Sequence, residues 1–165
     1  MRTLPIFSVS VLLAAVLLPA PRATAAGPVA PPAAKAAACL SVEDGWIRLP
    51  PAPRTMLAGF GRIANRCSEV QVVVAARSAR FGEVSLHETR VVDGVSRMRE
   101  LERLVVAPAG EALLQPGGLH LMLMRPDAAL AKGERVPLVL VLEGGHEVDA
   151  ILVVAGQAPQ RTGGE

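Results

Sequence analysis

Tyrosine is absent from this chain of 165 residues, and the other aromatics are few: Phe7, Trp46, Phe60 and Phe81. Bases would find no stacking platforms, and the net charge of +2 is spread along the chain without a run of Lys or Arg, so the sequence argues against nucleic-acid binding. The core has to be aliphatic, since 51% of the residues are hydrophobic and almost none of them are rings. Cysteine is scarce as well. Cys39 and Cys67 are the only two; they form no CxxC and have no histidine within a few residues, which argues against a thiolate metal site or a redox pair. Past its first residues the chain has no apolar run near the roughly 20 residues that a bilayer span needs. Helical periodicity of useful length is missing too, with room for one short turn in residues 126–132, and no internal repeat is visible.

The beginning reads as an export signal. Met1-Arg2 gives a small positive start, residues 4–18 form an apolar stretch that holds Pro5 and stops at Pro19, and Ala23-Thr24-Ala25 offers small residues suited to cleavage. The rival reading, an uncleaved anchor, is disfavoured by the shortness of that stretch. The sequence thus predicts a cleaved signal peptide over 1–25 and a periplasmic mature chain starting near Ala26. An Ala/Pro-rich flexible leader over 26–38, one domain over 39–155 and a disordered tail over 156–165 follow, with no membrane span in the mature chain. In an oxidising compartment Cys39 and Cys67 are expected to form a disulfide, worth about 3–4 kcal/mol for a loop of this length. Lipid attachment at Cys39 is disfavoured, because Ala36 stands where a lipobox wants leucine and the apolar stretch ends long before it.

From residue 40 onward, short stretches rich in Val, Leu and Ile recur between turn signals: 40–49, 56–65, 70–76, 82–92, 95–101, 111–114, 118–124, 136–142 and 147–154. Short strands at this spacing predict an all-β sandwich. Asp93-Gly94, between Val92 and Val95, is a two-residue hairpin signal, because a type I′ turn needs positive φ at both central positions. Gly144-Gly145 signals a second hairpin without fixing its register.

Alternation along a strand separates two faces. In the strand that starts at Gly118, Leu119, Leu121 and Leu123 share the core face, while His120, Met122 and Met124 share the other, expected to be a surface. Counting outward from Asp93-Gly94 sets Thr89 opposite Met98, with His87 on the same face as Thr89; His87 and Met98 are then diagonal neighbours at roughly 7–8 Å. Val84, Leu86 and Val92 point toward the core on this count. Two hairpin elements therefore each present a His and a Met away from the leucines. Thioether sulfur is a poor ligand for hard ions and a good one for Cu(I), and imidazole accepts copper in either state, so His87, Met98, His120 and Met122 together select Cu(I), one ion per chain. Met124 shares the face and is read as a shield; Met56 is read as packing in the core or a loop.

The spacing itself is distinctive: His87, ten residues, Met98, twenty-one residues, then His120-Leu121-Met122. It resembles the signature of the periplasmic PCu(A)C copper chaperones. The similarity extends through Gly45-Trp46, Leu86-His87-Glu88, Met98-Arg99, Pro108-Ala109-Gly110 and the stretch from Pro116 to Met124, and covers residues 40–154. The resemblance implies a cupredoxin-like Greek-key β-sandwich with an exposed Cu(I) site. It also implies delivery of copper to a copper-accepting protein such as a cytochrome c oxidase subunit, together with a Sco-type protein. Two departures stand out. Thr89 occupies a place where many members have a methionine, and residues 156–165 lack the His- and Met-rich tail that holds a second copper in some members.

A strand histidine taken alone is more often solvated than ligating, and only the joint spacing makes the case here. An electron-transfer cupredoxin needs a cysteine thiolate beside a His and a Met, which neither cysteine supplies. No nucleophile with an acid–base partner and no open zinc motif is evident, so an enzyme is not expected. The competing reading is a non-enzymatic sandwich for protein interaction or assembly, with His and Met in an interface patch.

Overall fold

The computed structural model describes residues 39–158; the expected signal peptide, leader and most of the tail lie outside them. Ten strands follow in order: β1 (Leu40–Arg48), β2 (Met56–Asn65), β3 (Gln71–Arg77), β4 (Phe81–Val92), β5 (Val95–Glu100), β6 (Leu104–Val106), β7 (Glu111–Leu114), β8 (Leu119–Pro126), β9 (Arg135–Leu142) and β10 (Glu147–Ala155). Nine match the predicted stretches to within a residue or two. β6 was not predicted; three residues are too few for an alternation to show. Pro126 ends β8, and residues 127–132 hold bends and the start of a turn, with no helix.

The strands run in the order β5-β4-β8-β7-β2-β1-β10-β9-β3-β6, and the sheet folds so that β3 and β6 pack against β4 and β2. β10 returns from the far layer to lie parallel to β1, Trp46 opposite Val153, which closes a Greek-key sandwich. Between the layers the core is aliphatic as expected: Ile47, Ile63, Leu121, Leu123, Leu140 and Leu152 are fully buried, and Phe81 is its one aromatic ring.

Asp93 and Gly94 both have positive φ, and Val92 pairs with Val95 as the turn signal requires. The second hairpin differs slightly. Val141 pairs with Glu147, and the Gly145 amide donates to the Leu142 carbonyl at 2.9 Å, so the loop holds Glu143 as well as the two glycines. Val92 is a correction: it is 44% exposed, because β4 and β5 run past the end of the sandwich and carry their tip into solvent.

A bulge in β1 decides what faces the outer side of the sheet. Leu40 and Val42 point into the core, the register shifts between Glu43 and Trp46, and Ile47 then takes the core position. The extra residue inverts the alternation and turns Trp46 and Arg48 outward. Asp44 adopts a positive φ in the bulge, and a Cβ on Gly61 would come within 2.9 Å of the Gly45 Cα. Only glycine at 61 lets the two backbones approach this closely.

Candidate metal centre

β4, β8 and β2 lie side by side, and their registers build the candidate site row by row. His87 is directly opposite His120, Ser85 opposite Met122, and Glu83 opposite Met124. On the other edge of β8, Met122 faces Ala58 and Met124 faces Met56. The two imidazoles have centroids 5.9 Å apart, with Phe60 6.4 Å beyond His120 and Trp46 4.8 Å beyond Phe60. Arg48 lies over both aromatic rings, its guanidinium carbon 5.1 Å from the Phe60 centroid and 5.8 Å from that of Trp46. Met98 is opposite Thr89 on the edge strand β5, diagonal to His87 as predicted, and is 52% exposed.

The expectation of a surface for His120, Met122 and Met124 needs correcting. His120 and Met122 are buried, at 8% and 7% exposure. Two of the three described aromatics, Trp46 and Phe60, are spent on this side of the sheet instead of in the core, and their edge shelters His120. Met124 is half-buried, and Met56, expected in packing, is 52% exposed.

Hydrogen bonds fix the rings. His120 Nδ1 donates to the Gly118 carbonyl at 3.0 Å, which leaves the lone pair on Nε2. His87 Nε2 is 3.0 Å from Ser85 Oγ; in the tautomer that donates to this hydroxyl, the lone pair sits on Nδ1. That Nδ1 atom is buried and has no hydrogen-bond partner. A closed-off nitrogen without a partner costs free energy, and an ion held at it would supply the missing contact. Among the described residues no group of three His, Cys, Asp or Glu side chains could hold a metal, and the soft side chains near the two rings are the thioethers of Met98 and Met122. A depression of about 410 Å³ lined by Leu49, Pro51, Leu57 and Leu130 lies elsewhere and offers no histidine, methionine or acid.

Burial pushes the His87 pKa below its usual 6.5; Glu100, opposite it on β5, pulls the other way, His120 pushes down again and Glu83 pulls up, and burial prevails. A ring NMR titration is expected to find His87 titrating below 6.5. The unfolded chain then takes up this proton first as pH falls. Stability contributed by neutral His87 is present above 6.5 and is lost between 6.5 and the lower folded value. A midpoint above 6.5 would show that Glu100 outweighs burial.

Several site residues escaped the sequence. Ser85 was within reach of it, being two residues before His87 and so on the same face. Phe60, Trp46 and Arg48 were not, since they arrive through the β2–β8 pairing and the β1 bulge. Glu88 and Arg99, which flank two of the candidate ligands, form an ion pair at 2.8 Å, and Glu88 also reaches Arg90 at 2.8 Å.

A family model described as "Putative lipoprotein LpqE-like" matches residues 40–154. The putative lipoprotein Lxx21020 of Leifsonia xyli subsp. xyli is 35% identical over 107 residues, which cover 64% of this chain and 63% of that protein. The chain therefore spans less than two thirds of that relative's length. Among solved structures, the apo PCuAC domain from PmoF1 matches with a TM-score of 0.60 at 22% identity, over 72% of this chain and 95% of that one. The copper-bound PCuAC domain from PmoF2 matches at 0.58 and 21% identity, over 73% and 94%. The Cu(I) form of DR1885 from Deinococcus radiodurans matches at 0.59 and 22% identity, over 76% and 87%. At such identities the likeness is one of fold. Since the family match runs from the first residue of β1 into β10, the chain belongs to the LpqE-like family of putative lipoproteins, and its sandwich is of the PCuAC type.

Proposed function

We propose that this protein is an exported, periplasmic Cu(I) metallochaperone that binds one ion through His87, Met98, His120 and Met122 and passes it to another copper protein. The observation that carries the reading is the facing His87–His120 pair with its partnerless buried Nδ1, beside the thioethers of Met122 and Met98. Two of the solved PCuAC structures that share the fold carry copper according to their descriptions, which supports the same cargo here.

The donor set suits a carrier. Four neutral ligands favour a monovalent soft ion over Zn(II), and leave it exchangeable. His120 and Met122 are buried, His87 is half-buried and Met98 is exposed on an edge strand, so an acceptor's ligand would displace Met98 first. We infer that the recipient is a cytochrome c oxidase subunit, with a Sco-type protein as a co-worker, and that the protein carries cargo instead of catalysing a reaction. A second reading, an interaction module without a metal, draws on the apolar hairpin tip, where Val91, Val92 and Val95 are 72%, 44% and 54% exposed.

Competition with a chromophoric Cu(I) chelator separates the two. The expected result is one tightly held Cu(I) per chain, with Zn(II) held far more weakly. Tight zinc binding with weak Cu(I) binding would end the chaperone reading.

A further inference from the structure

Apart from Met1, the chain has four methionines, Met56, Met98, Met122 and Met124, and all four fall on the outer side of one sheet. Methionines used as core filler would be found on the inner side too, where this protein uses Leu, Ile and Val. Two of the four belong to the proposed centre. The other two, Met56 and Met124, are paired directly across β2 and β8. Directly opposite residues carry their Cβ atoms about 4.5–5.5 Å apart, within reach of two flexible thioethers meeting at one ion.

We propose that Met56 and Met124 form an outer thioether seat for Cu(I), filled after the His87–His120 centre and connected to it by Met122. This rests on the chaperone reading for the choice of ion and extends it beyond one ion per chain. Met122 and Met124 are two residues apart on one strand, hence about 7 Å apart on the same face. On this face of β2 only Ala58 stands between Met56 and Phe60, and its small side chain faces Met122. The exposure of Met56 is what packing does not explain: at 52% exposed it fills no cavity that leucine would not fill as well. Its sulfur instead offers a soft ligand to solvent, one step out from the buried Met122. Glu83, opposite Met124, is engaged by Arg125 at 3.1 Å, so the carboxylate beside the seat is already compensated and the donors remain neutral. Neutral thioethers without imidazole hold Cu(I) or Ag(I) weakly and Zn(II) hardly at all. Such a seat takes up or releases the ion by ligand exchange, with no change of oxidation state.

Methionine methyl NMR on the full chain tests this, with Cu(I) added under anaerobic reducing conditions and Ag(I) and Zn(II) added in parallel. The first equivalent of Cu(I) is expected to move the His87 and His120 rings and the Met98 and Met122 methyls; if it does not, the main centre is wrong. The second equivalent is expected to move the Met56 and Met124 methyls, with Ag(I) acting likewise and Zn(II) leaving them in place. Met56→Leu should abolish the second phase and keep the first-equivalent affinity within about a factor of two, since leucine preserves the volume. Methyls of Met56 and Met124 that stay still at excess Cu(I), that move fully within the first equivalent, or that respond equally to Zn(II) would overturn the outer seat.

Discussion

Replacing His87 and His120 together by alanine is expected to weaken Cu(I) binding by more than about a hundredfold while the sandwich stays folded. Loss of a residue that merely orients a metal ligand already costs about 10–100-fold in affinity, and here two proposed ligands are themselves removed. Folding survives because the leucine face of β8 is untouched: Leu121 and Leu123 are fully buried on the other side. The apo protein is even expected to lose little stability at position 87, since the variant deletes a buried nitrogen that has no partner, whose desolvation costs about 1–3 kcal/mol. His120 is different. Its ring donates to Gly118 and packs against Phe60, so its removal should cost about 1 kcal/mol or more. For the thioethers the choice of replacement matters. Met98 is exposed and tolerates alanine, whereas Met122 is buried and alanine there would leave a cavity costing about 2–5 kcal/mol, so leucine is the informative change. Chelator competition and a thermal melt on the same samples decide the matter. A double variant that competes for Cu(I) as well as the parent would remove the centre from these strands.

Much of this site could be read from residue order, and the part that could not has a physical reason. Asp93-Gly94 fixes a local register, so the Thr89–Met98 pairing and the diagonal to His87 follow from counting, and the structure agrees. His87 opposite His120 is another matter: β4 and β8 meet through long-range pairing, and no turn between them sets the register. The spacing of the candidate ligands signalled that the two come together without saying how. Alternation correctly assigned Leu121 and Leu123 to the core, but it reports only which side a residue faces, not whether that side is covered. His120 and Met122 are therefore buried on a face that the pattern alone made a surface. The same limit explains Val92, whose side was inferred correctly but whose strand outruns the layer that would bury it. The β1 bulge is the opposite case. Gly45 was visible in the sequence, yet the inversion that turns Trp46 toward Phe60 depends on Gly61 approaching from the neighbouring strand.

Cys39→Ser with Cys67→Ser is expected to destabilise the domain by about 3–4 kcal/mol, as loop-closure entropy gives for a crosslink of this span. The two cysteines form a disulfide with Cα atoms 5.2 Å apart and a sequence separation of 28. It ties the residue before β1 to the loop after β2. That loop has further anchors. Asn65, 1% exposed, donates through Nδ2 to the carbonyls of Glu69, Val106 and Ala107 and accepts from the Cys67 amide at 2.9 Å, and the Arg66 amide donates to Cys39 O at 2.8 Å. Because these bonds persist without the crosslink, the variant should still fold, with a melting temperature lower by roughly 10 °C or more. Cu(I) affinity should not follow. Trp46, at the near edge of the site row, is seven residues from Cys39, about 20 Å along an extended strand, and the bulge between them isolates the two ends. The family's description as a lipoprotein sharpens the point. A lipid thioether on Cys39 and this disulfide exclude one another, since each uses the same Sγ. A double variant that melts with the parent would show that the crosslink stabilises nothing. One that loses copper as well would show that the two ends of β1 are coupled after all.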